Sequence, residues 1–279
     1  MDYEKIEQRG PDVVLVGLRN FVLEQVLDCG QCFRWRPLRP GEYSGIAYGR
    51  RLDLSFAGGD LTLRDVSLEE YGQVWQAYFD LGRDYGKLKE QYAADRTLND
   101  AIAYSPGLRL MRQDPWETLI SFILSQNSNI PRIKGMVERL CESFGEALYG
   151  GGFAFPKPEA LAGLPAEALK PLRCGYRAGY ILDAAQRVAD GRLRLAEMQE
   201  LPTCDICHML MEIHGVGPKV AECALLYGFG RIECFPLDVW MKKVMADYYP
   251  QGFPEEYADT AGIAQQFLFH YIRTGGPHK

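Results

Sequence analysis

The stretch EIHGVGPKVAEC, Glu212 to Cys223, sets Lys219 just behind a tight glycine turn and at the entrance to a helix. Gly215 and Gly217 allow backbone conformations closed to other residues, and Pro218 suits a first helical turn. Successive amide N–H groups in such a turn, beside the positive end of a helix dipole, can bind a phosphate. Lys219 falls within that first turn, where the dipole disfavours an ammonium and so favours a nucleophilic amine. Three readings of Lys219 stay open: a phosphate contact, a solvated surface cation, or a covalent nucleophile. Cys223 lies one helical turn further on the same face. Downstream, Asp238 in FPLDVWM follows Pro236 and precedes a helical pattern, so it is a natural N-cap. A carboxylate fixed there can also face the Lys219 amine across a cleft.

These groups need a scaffold. Thr203 is placed to cap a helix carrying Ile206, Leu210 and Ile213 on one face. The chain then turns through His214 to Gly217, restarts at Pro218 and stops at Gly228, which makes a helix-hairpin-helix. Upstream, Asp114, Pro115 and Glu117 mark a capped helix ending near Ser125. The polar elbow Gln126-Asn127-Ser128-Asn129 separates it from a second helix that starts around Pro131 and ends near Gly145. From Asp12 to about Val66 the pattern has period two, with tight turns at Gly49-Arg50 and Gly58-Gly59, and the segment DCGQCFRW has strand-like character. Beyond about Ser67 the chain reads as helices. The GGGFAFPKP segment is a loop, because its glycines lack the Lys-Ser/Thr of a phosphate-cradling P-loop.

With 279 residues, 47% hydrophobic and 24% charged, the chain can form one large domain or two to three modest ones. No apolar run approaches the roughly 18 to 20 residues of a membrane span, and Met1 to Glu7 is unlike a signal or transit peptide. This predicts a soluble, cytoplasmic protein, nucleoid-associated if prokaryotic. The net charge of −6 argues against a partner held by bulk positive charge. A hairpin that grips phosphate through backbone donors reconciles DNA binding with that charge. Eight cysteines include the C-x-x-C pairs Cys29/Cys32 and Cys204/Cys207. They lie far apart and in different contexts, which favours reduced, packed thiols over a zinc centre or a redox pair. No metal and no cofactor are expected.

The motifs HGVGPKVAEC and FPLDVWM, with QDPWETLISFILSQNSNIPRI, CGQCFRW, CGYRAGY and AGIAQQFLF, occur in an order that resembles the 8-oxoguanine DNA glycosylase/AP lyase family of the helix-hairpin-helix superfamily. The resemblance runs from about residue 27 to 269. It implies an α+β fold, an N-terminal antiparallel β-sheet domain packed on a mostly α-helical body. Residues 1–85 would be the sheet domain, 86–115 with 248–279 a helical subdomain, and 116–247 the helix-hairpin-helix catalytic subdomain, with the DNA cleft between the two helical subdomains.

The resemblance also implies roles. Lys219 attacks C1′ of a flipped nucleotide, expels the base and forms a Schiff base, after which β-elimination nicks the strand. Asp238 stabilises the oxocarbenium-like sugar. Guanine N7 accepts a hydrogen bond whereas N7 of 8-oxoguanine carries a hydrogen, so a carbonyl aimed there attracts the lesion; by resemblance that carbonyl is Gly30's. Cys223 and Phe269 match the residues that sandwich the base, and Gln265 the amide that reads its Watson–Crick edge. Asn127 matches the residue that fills the vacated space, Arg132 and Arg177 the pair on the orphaned cytosine, and Tyr176 a wedge beside it. His214, Gly215, Val216 and Gly217 match the phosphate grip. The partner is double-stranded DNA containing 8-oxoguanine opposite cytosine, bound by a monomer, with no membrane. Trp240 stands where a histidine is familiar in eukaryotic relatives, and Ser128 where an asparagine is common. No cysteine follows Cys234, which disfavours an iron–sulfur glycosylase. A 3-methyladenine glycosylase normally lacks the hairpin lysine, and a non-catalytic hairpin module would not require Asp238, Gln265 and Phe269.

Overall fold

The computed structural model of the chain describes residues 1–275; positions 276–279 of the expected 248–279 segment lie outside them. Six strands form one antiparallel sheet in the order β1-β2-β6-β5-β4-β3. They are β1 Lys5–Arg9, β2 Asp12–Val16, β3 Trp35–Arg39, β4 Glu42–Ala47, β5 Arg50–Ala57 and β6 Asp60–Leu63. The sheet starts before the period-two pattern does. The edge strand β1 is KIEQR, exposed or half-exposed throughout and held by its main-chain ladder to β2, so no alternation marks it.

The turn between β4 and β5 falls at Tyr48-Gly49, one position earlier than expected, with φ of 51° and 69°. Two successive left-handed residues match the twist of a two-residue hairpin, and Gly58-Gly59 does the same at 61° and 87°. The segment Cys29 to Arg34 is not a strand. Gly30 has φ of 95°, and the Cys29 and Cys32 thiols turn back onto the carbonyls of Val26 and Leu27 at 3.3 and 3.4 Å. Both contacts hold the chain against the helix end and keep it from extending.

The helices are α1 Leu23–Leu27, α2 Leu68–Glu70, α3 Gln76–Tyr78, α4 Tyr85–Tyr92, α5 Arg96–Tyr104, α6 Pro115–Ser125, α7 Ile130–Phe144, α8 Pro158–Leu161, α9 Arg177–Ala189, α10 Leu195–Met198, α11 Thr203–Met211, α12 Pro218–Tyr227, α13 Val239–Tyr248 and α14 Ala261–Thr274. A π-wound turn, Tyr71–Trp75, joins α2 to α3.

By contacts the chain divides into two compact units, each with its own core. The first holds Met1–Gly45, Leu52–Arg112 and the described residues from Ile232 onward. Trp35, Trp75, Tyr78 and Phe79 fill its centre, and the Trp35 indole N–H donates to the Tyr78 hydroxyl at 2.8 Å. Trp35 pairs with Gly45 across the sheet, where a Cβ would stand 2.3 Å from the indole; only glycine fits. Arg109 is fully buried, with Asp2 as its ion partner, the Tyr85 ring 4.3 Å away and backbone carbonyls of Asn20 and Asp80 at 3.0 and 2.8 Å.

The second unit holds Ile46–Arg51 and Gln113–Arg231. Its central helix, α6, buries every residue from Thr118 to Leu124. The end of α12 lies close against the start of α6: a Cβ on Gly228 would stand 2.9 Å from Cα of Pro115, and Gln113 N–H donates to Tyr227 O at 2.7 Å. Thr203 proves to be the first residue of α11 and not its cap. Pro202 occupies the cap position, and its carbonyl accepts from Asp205 and Ile206.

Candidate active site

The expected residues divide between the units, ten in the second and four in the first. In the second, Lys219 is the second residue of α12, behind the N-cap Gly217 and Pro218. Its half-buried amine lies 3.5 Å from Ser125 Oγ and 5.2 Å from the centre of the Phe122 ring. The latter is within cation–π range. Among the described residues it forms no ion pair. The same packing of α12 on α6 stacks Phe122 on Tyr227, ring centres 5.2 Å apart, and this fixes the aromatic floor beneath the amine. Cys223 is buried one turn further along α12.

The hairpin has the form its glycines predict. Gly215 has φ of 79°, and a Cβ there would stand 2.3 Å from the Tyr180 ring, so both conformation and space demand glycine. Val216 is buried and its N–H donates to Ile213 O at 3.0 Å, closing the turn. His214 is exposed, and its N–H donates to Asp183 Oδ2 at 2.8 Å. The amides of Gly215, Gly217 and Lys219 have no acceptor among the described residues.

The elbow is ordered by two side chains. Asn129 caps α7 by accepting the Arg132 N–H at 3.0 Å, and Asn127 takes φ of 47° and is exposed. Arg177 is buried. Its guanidinium donates to the carbonyls of Gln126 at 2.9 Å, Asn127 at 3.1 Å and Cys174 at 3.0 Å. The guanidinium therefore braces the elbow. The side chain of Arg132 is exposed, and so is Tyr176, whose ring lies 4.7 Å from the Arg177 guanidinium.

In the first unit, Asp238 caps α13, with Oδ1 accepting the Met241 N–H at 2.8 Å. Leu237 and Val239 flank it, exposed. Gln265 of α14 is buried: Nε2 donates to the Pro236 carbonyl at 3.2 Å, while Oε1 has no partner among the described residues. The neighbouring Gln266 donates to the Cys29 carbonyl at 3.5 Å, which ties α14 to the irregular segment carrying Gly30. Phe269 is half-buried beneath the Arg273 guanidinium, 5.5 Å from its ring centre. Burial and the nearby Arg273 cation push the His270 imidazole down to about 4. Trp240 is the second residue of α13 and half-exposed.

Phe122, Ser125, Tyr180, Asp183 and Arg273 were not singled out from sequence. A signal existed for two of them: Tyr176, Tyr180, Asp183 and Arg187 recur at helical spacing along one face of α9. None of the C-x-x-C thiols forms a disulfide, and no cluster among the described residues could hold a metal ion. No described helix is long and apolar enough to cross a membrane.

Residues 120–258 match the model of the HhH-GPD superfamily of base excision DNA repair proteins, and residues 13–119 match that of the 8-oxoguanine DNA glycosylase N-terminal domain. The class is thus a helix-hairpin-helix base-excision repair protein with an antiparallel N-terminal sheet. Among solved structures, the chain is similar to one described as MBOgg1 in complex with a low affinity DNA ligand. The two are 42% identical, with 98% of this chain and 99% of that one covered at a TM-score of 0.93. An 8-oxoguanine glycosylase/lyase from Clostridium acetobutylicum, solved with double-stranded DNA containing cytosine opposite 8-oxoG, is 35% identical over 98% and 99% of the two chains, TM-score 0.92. A probable N-glycosylase/DNA lyase of Methanothermobacter thermautotrophicus is 30% identical over 75% of each chain. This chain belongs to the 8-oxoguanine DNA glycosylase/lyase family.

Proposed function

We propose that this protein excises 8-oxoguanine, preferentially opposite cytosine, from double-stranded DNA and then nicks the strand through a Schiff base on Lys219. The observation that carries the reading is the Lys219 amine: half-buried at a helix start, contacting a hydroxyl and an aromatic face, and bound to no carboxylate among the described residues. A structural lysine would be paired or solvated; this one is half-buried and bound to no carboxylate among the described residues.

The chemistry follows in order. The neutral amine forms an N–C1′ bond as the glycosidic bond breaks, and the electron pair of that bond leaves with the base, which takes up a proton. Asp238 stabilises the positive charge that develops on the sugar. The nitrogen's proton passes to O4′ as the C1′–O4′ bond breaks and the sugar ring opens, and an iminium links Lys219 to C1′. Loss of a proton from C2′ then expels the 3′ phosphate, which is the nick.

The lesion is read by Gly30 O against N7–H and by Gln265, whose buried Oε1 is an unfilled acceptor for the base edge. Phe269 and Cys223 bound the base on its two faces. Asn127 fills the vacated space, Tyr176 wedges beside it and Arg132 reads the orphaned cytosine. Arg177 meets the same cytosine from a position that also braces the elbow. His214 to Gly217 grip the backbone. The enzyme acts as a monomer with no metal or cofactor, and a substrate in chromosomal DNA places it in the cytoplasm or at a prokaryotic nucleoid.

Borohydride reduction tests the reading directly. On a duplex carrying 8-oxoguanine opposite cytosine, the wild type is expected to give a covalent protein–DNA adduct and released base, and Lys219→Gln neither. An adduct undiminished in Lys219→Gln would assign the nucleophile to another residue.

A further inference from the structure

An acidic side chain sits against the part of this molecule that is read as gripping a polyanion. Asp183 Oδ2 accepts the His214 N–H at 2.8 Å and also receives Arg187 Nε at 3.0 Å. Arg187 in turn lies 3.6 Å from Glu212, the last residue before the hairpin's Ile213. On simple electrostatic grounds a carboxylate beside a phosphate site weakens binding. Its position therefore calls for a compensating role, which the hydrogen bonds supply.

Helix α9 and its N-cap Tyr176 present five side chains to these two segments. Arg177 braces the elbow carbonyls of Gln126 and Asn127. Tyr176 and Tyr180 meet edge to face at 5.6 Å, and Tyr180 meets the His214 ring at 4.8 Å while closing off the space over Gly215. Asp183 takes the His214 amide, and Arg187 holds Asp183. One rigid helix thus fixes both the elbow and the hairpin of this unit. Of the hairpin amides, Val216 N–H is spent inside the turn and His214 N–H on Asp183. Those of Gly215, Gly217 and Lys219 are left without acceptors among the described residues.

We infer that Asp183 is a positioning residue for DNA binding: it pins the first amide of the hairpin so that the Gly215, Gly217 and Lys219 amides stay preorganised for one phosphate. Its contribution comes through the hydrogen bond it accepts and outweighs the repulsion of its charge. This rests on the reading of His214 to Gly217 as the phosphate grip.

The sign of the effect separates the two roles of the carboxylate. Binding is measured by fluorescence anisotropy with an 8-oxoguanine:cytosine duplex, in a Lys219→Gln background so that no chemistry intervenes. Asp183→Ala removes both the acceptor and the charge, and is expected to weaken binding about fivefold, the equivalent of one lost hydrogen bond. Asp183→Asn keeps an acceptor for His214 N–H and removes the charge, so it binds as tightly as the parent or more tightly. With Lys219 restored, Asp183→Ala is expected to raise about fivefold the enzyme concentration that gives half-maximal single-turnover excision, in step with its weaker binding. Tighter or unchanged binding by Asp183→Ala overturns the inference, since that is what loss of a mere acidic surface charge produces. If Asp183→Ala does not fold, Asp183→Asn decides alone, and several-fold weaker binding by it is the overturning result. Gly215→Ala, which must clash with Tyr180, is the parallel arm. If it binds normally, the phosphate grip itself is wrong; if it binds weakly while Asp183→Ala does not, only the pin is wrong.

Discussion

Asp114 and Asp238 begin two helices with the same hydrogen bond. Asp114 Oδ1 accepts the Glu117 N–H at 2.8 Å, and Asp238 Oδ1 accepts the Met241 N–H at 2.8 Å. Around Asp114 the chain is closed: Pro115 opens α6, Trp116 is buried, and its indole N–H donates to the Pro156 carbonyl at 2.9 Å. Burial pushes the Asp114 carboxyl up, against the pull of two amide donors. Around Asp238 the chain is open, with Leu237 41% and Val239 77% exposed, and the Arg273 cation lies within electrostatic reach. A capping hydrogen bond is therefore compatible with a purely structural carboxylate and with one that faces a substrate. The surroundings decide between them, because a cap oxygen uses one lone pair and leaves the other free.

The comparison is broken most easily at Asp238. Asparagine caps a helix about as well as aspartate, so Asp238→Asn should leave stability within about 0.5 kcal/mol while removing the charge that steadies the sugar cation. Single-turnover excision should fall on the order of 10²-fold or more. A loss of activity matched by a loss of folded protein would reduce Asp238 to a cap like Asp114.

The converse change is smaller. Asp114→Ala should cost about 1 kcal/mol in denaturant unfolding, as a lost cap does, with excision per folded molecule unchanged. A fall in activity beyond the folded fraction would give α6 a direct part in chemistry.

Smallest of all is Asp114→Asn, which keeps the acceptor and removes a buried charge. The folded carboxyl titrates above its unfolded value, so its contribution is fully present below ~4 and is lost as pH rises through the folded pKa. The asparagine variant should therefore match or exceed wild type by a few tenths of a kcal/mol at neutral pH, and that advantage should vanish in acid. An advantage that grows as pH falls would reverse the assigned sign.

Much of this was legible in the chain because it is local. Caps at Asp114 and Asp238, the elbow, the glycine turn with Pro218 behind it, and the stop at Gly228 all depend on interactions within a few residues. The failures share one cause. Strand β1 is polar and owes its place to a ladder with β2. The segment around Gly30 is rich in strand formers, yet two thiols and a left-handed glycine hold it against α1. The engagement of the Arg177 guanidinium with the carbonyls of Gln126 and Asn127 was equally invisible, because it is a fact of packing some fifty residues away.

The sequence by itself singled out the residue types that could do chemistry and determined the local backbone they need: an amine in a first helical turn, a carboxylate at an N-cap, and glycines at the turns. It also contained the ordered motifs of the family. Only the tertiary structure decided what each group touches. The Lys219 amine lies against Ser125 and Phe122, Gln265 keeps one buried oxygen unpartnered among the described residues, and Asp183 accepts a single hairpin amide. The physical reason is range: propensity and capping act within one turn of chain, whereas burial, aromatic contact and hydrogen-bond satisfaction depend on partners that folding alone brings together.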